Sequence, residues 1–261
     1  MHISEITSLQ NPRIKEVVKL RQERQRKKQK KILIDGLREI QRAFDAGFQM
    51  EELYVCNDAE IAAARQFGNE QTQLYKVSGS AFAKMAYGNR NEGVIAVAAE
   101  KALGLNELKL SELPFFLVLD GIEKPGNIGA VFRSASAAGV DAILLSNEIS
   151  HPFNANAIRA SLGTAFEVPF VCADTEPLTS YLHEQGIQIV TTLVDSEVAY
   201  TDFDYNQPLA LVMGSEAEGV VDQWTTFDSI TIPMKRSVDS LNISVSAAIV
   251  MFEVVRQRQS R

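Results

Sequence analysis

DGIEKPGNIGAVFRSASAAGV, residues 120–140, follows the apolar run FFLVL and brings Gly126, Gly129, Asn127 and Arg133 into one short space. The pattern reads as strand, glycine-containing loop and helix. Backbone amides at a helix N-terminus are free to hold an anion or a polar ligand, and glycine lets that ligand approach the chain. A P-loop needs Lys-Ser or Lys-Thr after its last glycine, and GNIGAV is followed by neither. A dinucleotide fold wants Gly-x-Gly-x-x-Gly, whereas only Gly126 and Gly129 stand here, with Glu148 about where a ribose-binding acid would lie. Taken singly, Asn127 reads as a helix cap and Arg133 as a surface charge.

Outward from this stretch, short apolar runs alternate with helical ones. KILIDG, ELYVC, QLYKVS and GVIAVAA read as strands in the first third, and LREIQRAFDAG carries a helical period closed by Gly47. Residues 101–114 read as a connector. A second series follows, with FFLVLDGI, AILLS, VPFVCA, IQIVTTLV, LALVMG and SITIPM as strands and helices near 127–138, 154–162, 176–185 and 241–257. Strands apolar throughout and separated by helices predict an α/β fold with a parallel sheet covered on both faces. Three segments are expected: a smaller N-terminal α/β domain over 1–100, a linker over 101–114 and a second domain over 115–261.

Composition limits the function classes. The chain has 261 residues, 46% of them apolar. No run approaches the ~20 apolar residues of a membrane span, and the N-terminus has no apolar signal core, so a soluble cytoplasmic protein is expected. Cys56 and Cys172 are far apart and outside any Cys-x-x-Cys spacing. His2, His151 and His183 lack metal-ligand spacing, so neither a disulfide nor a metal is expected. The net charge of −7 is unevenly spread: residues 1–40 hold eleven Lys or Arg against five acids, a balance of +6 that leaves −13 for the rest. KLRQERQRKKQKK is thus a basic segment on an acidic body, read either as an electrostatic footprint for phosphates or as a solvated helix face.

Two further stretches complete a pattern. LVMGSEAEGV places Gly214, Glu216 and Gly219 after a buried strand, and ITIPMKRSVDSLNISVSAAIVMFEV carries Pro233, Ser240, Leu241, Asn242 and Ser244. In this order the three stretches resemble the SpoU (TrmH) family of RNA ribose 2'-O-methyltransferases, in the SPOUT superfamily, over about residues 115–257. RASLGTAFEVPF, with Arg159, Ser161, Gly163 and Pro169, is similar to a family stretch between the first two. Residues 1–100 resemble more loosely the family's RNA substrate-binding domain, with Asp35 where a Glu is usual.

The resemblance implies a C-terminal trefoil-knotted domain that binds S-adenosylmethionine, with Leu193, Gly214, Gly219, Ile232, Met234, Leu241 and Ser246 around the cofactor. It implies Asn127, Arg133, Glu216, Ser240 and Asn242 as the catalytic set. Arg133 is expected to act as an electrostatic clamp rather than a base, because guanidinium stays protonated. Glu216 is expected to hold the arginine's other donors, and Ser240 and Asn242 to fix the cofactor end and the target nucleotide. Also implied are a homodimer through the C-terminal domain and an RNA substrate, ribosomal (23S) RNA favoured, with a transfer RNA 2'-O-methyltransferase as the alternative. A non-catalytic RNA-binding or assembly protein on the same fold is the alternative from another class.

Overall fold

A computed structural model describes residues 3–88, 93–216, 218–235 and 240–259. His2 lies outside these described residues. The strands are β1 (Ile3–Ile6), β2 (Lys31–Asp35), β3 (Met50–Val55), β4 (Gln73–Val77), β5 (Val94–Ala99), β6 (Phe115–Asp120), β7 (Ala142–Ser146), β8 (Phe170–Cys172), β9 (Gln188–Thr192), β10 (Leu209–Met213) and β11 (Asp228–Ile230). The helices are α1 (Pro12–Lys19), α2 (Glu23–Gln29), α3 (Leu37–Asp45), α4 (Asp58–Arg65), α5 (Gly79–Met85), α6 (Pro125–Ala138), α7 (Ala155–Ala160), α8 (Thr175–Glu184) and α9 (Ile243–Gln259). None of them is long and apolar enough to cross a membrane.

The chain divides into two compact units, one of residues 1–101 with 153–167 and the other of 102–152 with 168–261. The expected division at 115 therefore needs amendment, because 153–167 leaves the second unit and folds with the first. Aromatic burial explains the excursion: Phe153 and Phe166 set their rings edgewise on Phe48, with centroids 5.6 and 5.2 Å away. The stretch RASLGTAFEVPF begins in this excursion and ends in the second unit.

The first unit holds a five-stranded sheet in the order β1-β4-β3-β5-β2. β1, β4 and β3 run parallel, but β5 is antiparallel to both β3 and β2, so this sheet is mixed. Ile14, Val17, Leu33, Tyr54, Phe82, Met85, Ile95 and Val97 form part of its core. The basic segment is folded here, and two of its cations work inside the unit. Arg21 forks onto both oxygens of Asp35 at 2.6 Å, and that carboxylate also accepts from the Tyr87 amide at 2.9 Å. Arg26 is buried and donates to the Leu20 and Arg21 carbonyls, and burial lowers its pKa. Lys15, Arg24, Lys28 and Lys30 remain exposed, with no ion pair among the described residues.

The second unit is a six-stranded, wholly parallel sheet in the order β11-β9-β10-β6-β7-β8. All six residues of β6 and all five of β10 are buried, as strands covered on both faces require. The chain starts at β6, moves outward through β7 and β8, then returns to the other side with β9, β10 and β11. β6 and β10 are neighbours, so the strand order reverses between them. Ligands of open α/β sheets bind in the crevice at such a reversal, beyond the strand C-termini.

Candidate functional site

Three strand ends and the start of α9 build the site. After β10, Ser215 and Gly219 exchange backbone hydrogen bonds (Ser215 N–H to Gly219 O, 2.8 Å, and Gly219 N–H to Ser215 O, 3.1 Å), folding 214–219 into a tight loop. Glycine is required at both ends. A Cβ on Gly214 would lie 2.2 Å from the Gly219 carbonyl carbon, and Gly219 has a left-handed φ of 71°. This loop, the segments 192–194 and 231–234, and Ser240, Leu241, Ile243 and Ser246 enclose a cavity of about 340 Å³. Leu193, Gly214, Gly219, Ile232, Met234, Leu241 and Ser246, all expected at the cofactor, line it together with Ser240 and Glu216.

A hydrogen-bonded group stands beside the cavity. Asn127, in the first turn of α6, donates from Nδ2 to Glu216 Oε1 at 3.0 Å. Asn242 Nδ2 donates to the same oxygen at 2.6 Å and to Asn127 Oδ1 at 3.2 Å. Lys124 Nζ reaches Glu216 Oε2 at 2.6 Å. The Lys124 ammonium above all holds the Glu216 carboxyl below the usual carboxylate range, with Asn127 and the Ile243 amide adding to it. Asn242 has a second task, since its Oδ1 accepts from the Ser244 amide at 3.0 Å and so caps α9. One side chain thus starts the helix and reads the carboxylate.

Arg133 stands apart. It is exposed on α6 and, among the described residues of its own chain, makes no hydrogen bond or ion pair, with Glu216 or any other. Helical geometry explains the separation. Six residues after Asn127 means about 9 Å along the axis and a different side of the helix.

The chain matches the SpoU rRNA Methylase family over residues 114–252, and residues 11–96 match the MRM3-like substrate binding domain. The chain belongs to the SpoU rRNA methylase family. A Synechocystis protein named as an uncharacterised tRNA/rRNA methyltransferase is 30% identical, over 98% of this chain and 95% of its own length. The 23S rRNA (guanosine-2'-O-)-methyltransferase RlmB of Vibrio parahaemolyticus is 40% identical, over 66% of this chain and 73% of its own. Among solved structures, an AdoMet-bound rRNA methyltransferase from Sinorhizobium meliloti superposes with a TM-score of 0.89 at 28% identity, covering 97% of this chain and 98% of that one.

In this SpoU chain two polar residues escaped the sequence reading. Lys124 lies inside the opening stretch, but a lone lysine before Pro125 gives no sign of a partner 92 residues on. Asp120 is the other. Buried at the end of β6, it accepts from Ser146 Oγ and Asn147 Nδ2, both at 2.7 Å, and from the Val221 amide at 2.8 Å. It thereby ties β7 and the segment after Gly219 to the strand that leads into α6. A buried acid ending an apolar strand was the available signal.

The structure also joins residues that the spacing kept apart. Glu148, His151 and Cys172 bring one ligand atom each within 4.8 Å of one another. The other described histidine, His183, packs its ring against Phe227 at 5.6 Å.

Proposed function

We propose that the protein transfers a methyl group from S-adenosylmethionine to the 2'-hydroxyl of a ribose in ribosomal RNA, 23S in particular. The observation that carries this reading is the Asn127–Glu216–Asn242 group, which joins the segments after β6 and β10 at the edge of a glycine-looped cavity beyond the ends of β9, β10 and β11. The cavity fits the cofactor: its size is that of a small-molecule site, and its walls are apolar side chains interrupted by backbone polar groups. Bound there, S-adenosylmethionine supplies an electrophilic methyl on a sulfonium, so no metal is needed for the transfer. Leu193, Ile232, Met234 and Leu241 exclude water, and the Gly214 backbone, bare of a side chain, admits close approach. Glu216, ionised through neutral pH, fixes both asparagine amides, leaving Asn127 and Asn242 to orient the ribose.

Arg133 clamps the neighbouring phosphate and the developing alkoxide, in the site of a second copy of the chain. Its exposure and lack of partners in its own chain support that placement, as do Val245 and Phe252, each 48% exposed on α9. The dimer is formed by the second unit. The segment after β11 passes through a loop as a trefoil knot, a reading supported by family membership and by a cavity that residues after β11 line together with those after β9 and β10. Lys15, Arg24, Lys28 and Lys30 on the first unit contact RNA phosphates, and the reaction takes place in the cytoplasm.

Mapping 2'-O-methylation across total RNA in a strain lacking the gene tests the reading. One 23S position is expected to lose its mark and regain it from the wild-type gene, not from Arg133→Ala. A loss confined to transfer RNA would move the substrate class, and an unchanged map would leave a non-catalytic RNA-binding protein.

A further inference from the structure

Beyond the methyl-transfer site, at the far end of the same sheet, one sulfur, one nitrogen and one oxygen donor converge. Cys172 ends β8 and pairs in register with Leu145 of β7. Two residues further along β7's own course, Asn147 takes a left-handed φ of 50° and turns the chain. Glu148 and His151 follow in that turn, and all three ligand atoms fall within 4.8 Å of one another.

The surrounding contacts hold this geometry. Asn147 Nδ2 donates to Asp120 at 2.7 Å and to Thr175 Oγ1 at 3.3 Å, and Ser150 Oγ donates to the Glu123 carbonyl. The His151 ring sits edgewise on Phe170 with centroids 5.7 Å apart, and Phe170 sits likewise on Phe132 at 5.7 Å. All three candidate ligands are half-buried. A rigid, partly dry cluster spends little conformational entropy on binding.

We propose that Glu148, His151 and Cys172 bind one zinc-class divalent ion, with a fourth coordination position left for water or an exogenous ligand. Bonds of about 2.0–2.3 Å at the tetrahedral angle put donors about 3.3–3.8 Å apart, inside the observed span. A thiolate and a carboxylate neutralise a dication, with imidazole as the neutral third ligand. The thiolate disfavours calcium and magnesium. Binding releases the thiol proton to solvent, and no electron moves.

The position in the chain gives the site a purpose. Between His151 and Cys172 run twenty residues that include the 153–167 excursion into the first unit. A metal bridging the outgoing and returning segments closes that loop at its base, restricting its unfolded freedom. The proposal does not depend on the methyltransfer reading, since the ligands lie outside the described cofactor cavity.

Tag-free full chain, stripped with chelator and reloaded with Zn²⁺ or Co²⁺, provides the test. One equivalent is expected by elemental analysis, and Co²⁺ should show a thiolate charge-transfer band. Competition against a chromophoric chelator should show Zn²⁺ affinity falling about 100-fold or more in Cys172→Ser and His151→Asn. Cys56→Ser should retain full binding. Should the Cys172 variant not fold, as judged by circular dichroism, wild-type protein still decides: Zn²⁺ must protect Cys172, and not Cys56, from alkylation, and Glu148→Gln must weaken that protection. The proposal is overturned by absence of stoichiometric binding, by undiminished binding in folded Cys172→Ser, or by a Cys172 that alkylates equally fast with and without Zn²⁺, which would mark a plain thiol.

Discussion

Glu216 accepts from Lys124, Asn127 and Asn242, so its charge organises three side chains drawn from two helical starts and the turn before α6. Its folded pKa is depressed. Its contribution to stability is therefore whole above the ordinary carboxylate range and is lost as pH falls through the lower folded value. Thermal midpoints measured against pH should fall less steeply in Glu216→Gln than in wild type across that acid window. Asn242 permits a sharper separation of roles. Asn242→Asp keeps an N-cap acceptor for Ser244 but sets a second carboxylate beside Glu216, so activity should collapse while the melting temperature stays near wild type; Asn242→Ala should lose both, with a capping cost of about 0.5–2 kcal/mol. Arg133→Ala should slow single-turnover methylation about 100- to 1,000-fold with S-adenosylmethionine affinity unchanged by calorimetry. Lysine at 133 should restore little, because the planar fork is gone. Weakened cofactor binding in Arg133→Ala would reverse that assignment.

The 214–219 loop is the element on which the cavity depends. Ala at 214 drives a methyl into the backbone of Gly219 and Val220, which no side-chain rotation relieves. Expected is a loss of cofactor affinity of at least about 10-fold together with about 1–3 kcal/mol of stability, read from calorimetry and denaturant unfolding. The last turn of α9 is anchored separately. Arg258 donates to the carbonyls of Leu113, Tyr205 and Gln207, and its guanidinium lies 5.3 Å over the Phe115 ring. Burial lowers its pKa without discharging it. Truncation to Ala orphans carbonyls near the starts of β6 and β10 and should cost about 1–3 kcal/mol. If α9 is instead held only by its apolar packing, the unfolding midpoint will not move.

At the scale of the molecule, assembly and RNA contact are the two features to measure. Light scattering of the purified chain should give twice the monomer mass, and Phe252→Glu should return it to monomer with activity lost, because Arg133 would then face no second site. A fully active monomer would contradict this. Lys28→Gln with Lys30→Gln should reduce the slope of log affinity against log salt by about 0.7–0.9 per phosphate contact removed. The same exchange at Arg21 should unfold part of the first unit instead, since its fork is occupied by Asp35. The basic count of the first forty residues thus overstated the cations available to a phosphate.

Local pattern in the sequence determined the second unit's parallel sheet and helices, the glycine requirement after β10 and the family, because apolar runs, glycine turns and motif order are written in neighbouring residues. The first unit's β1 went unread: ISEI offers four residues of weak alternation, and only pairing with β4 makes it a strand. β5 looked like its neighbours yet runs antiparallel, since strand direction depends on the path of the connection and not on composition. The residues expected at the cavity were legible from their motifs, but the meeting of Asn127 and Asn242 on one oxygen of Glu216 was not, for it depends on where α6 and α9 begin relative to the segment after β10. Lys124 with Glu216, the excursion of 153–167 onto Phe48, and the meeting of Glu148, His151 and Cys172 were likewise decided only in three dimensions. Each is a contact between segments whose sequence spacing carries no period, and folding alone supplies the distance.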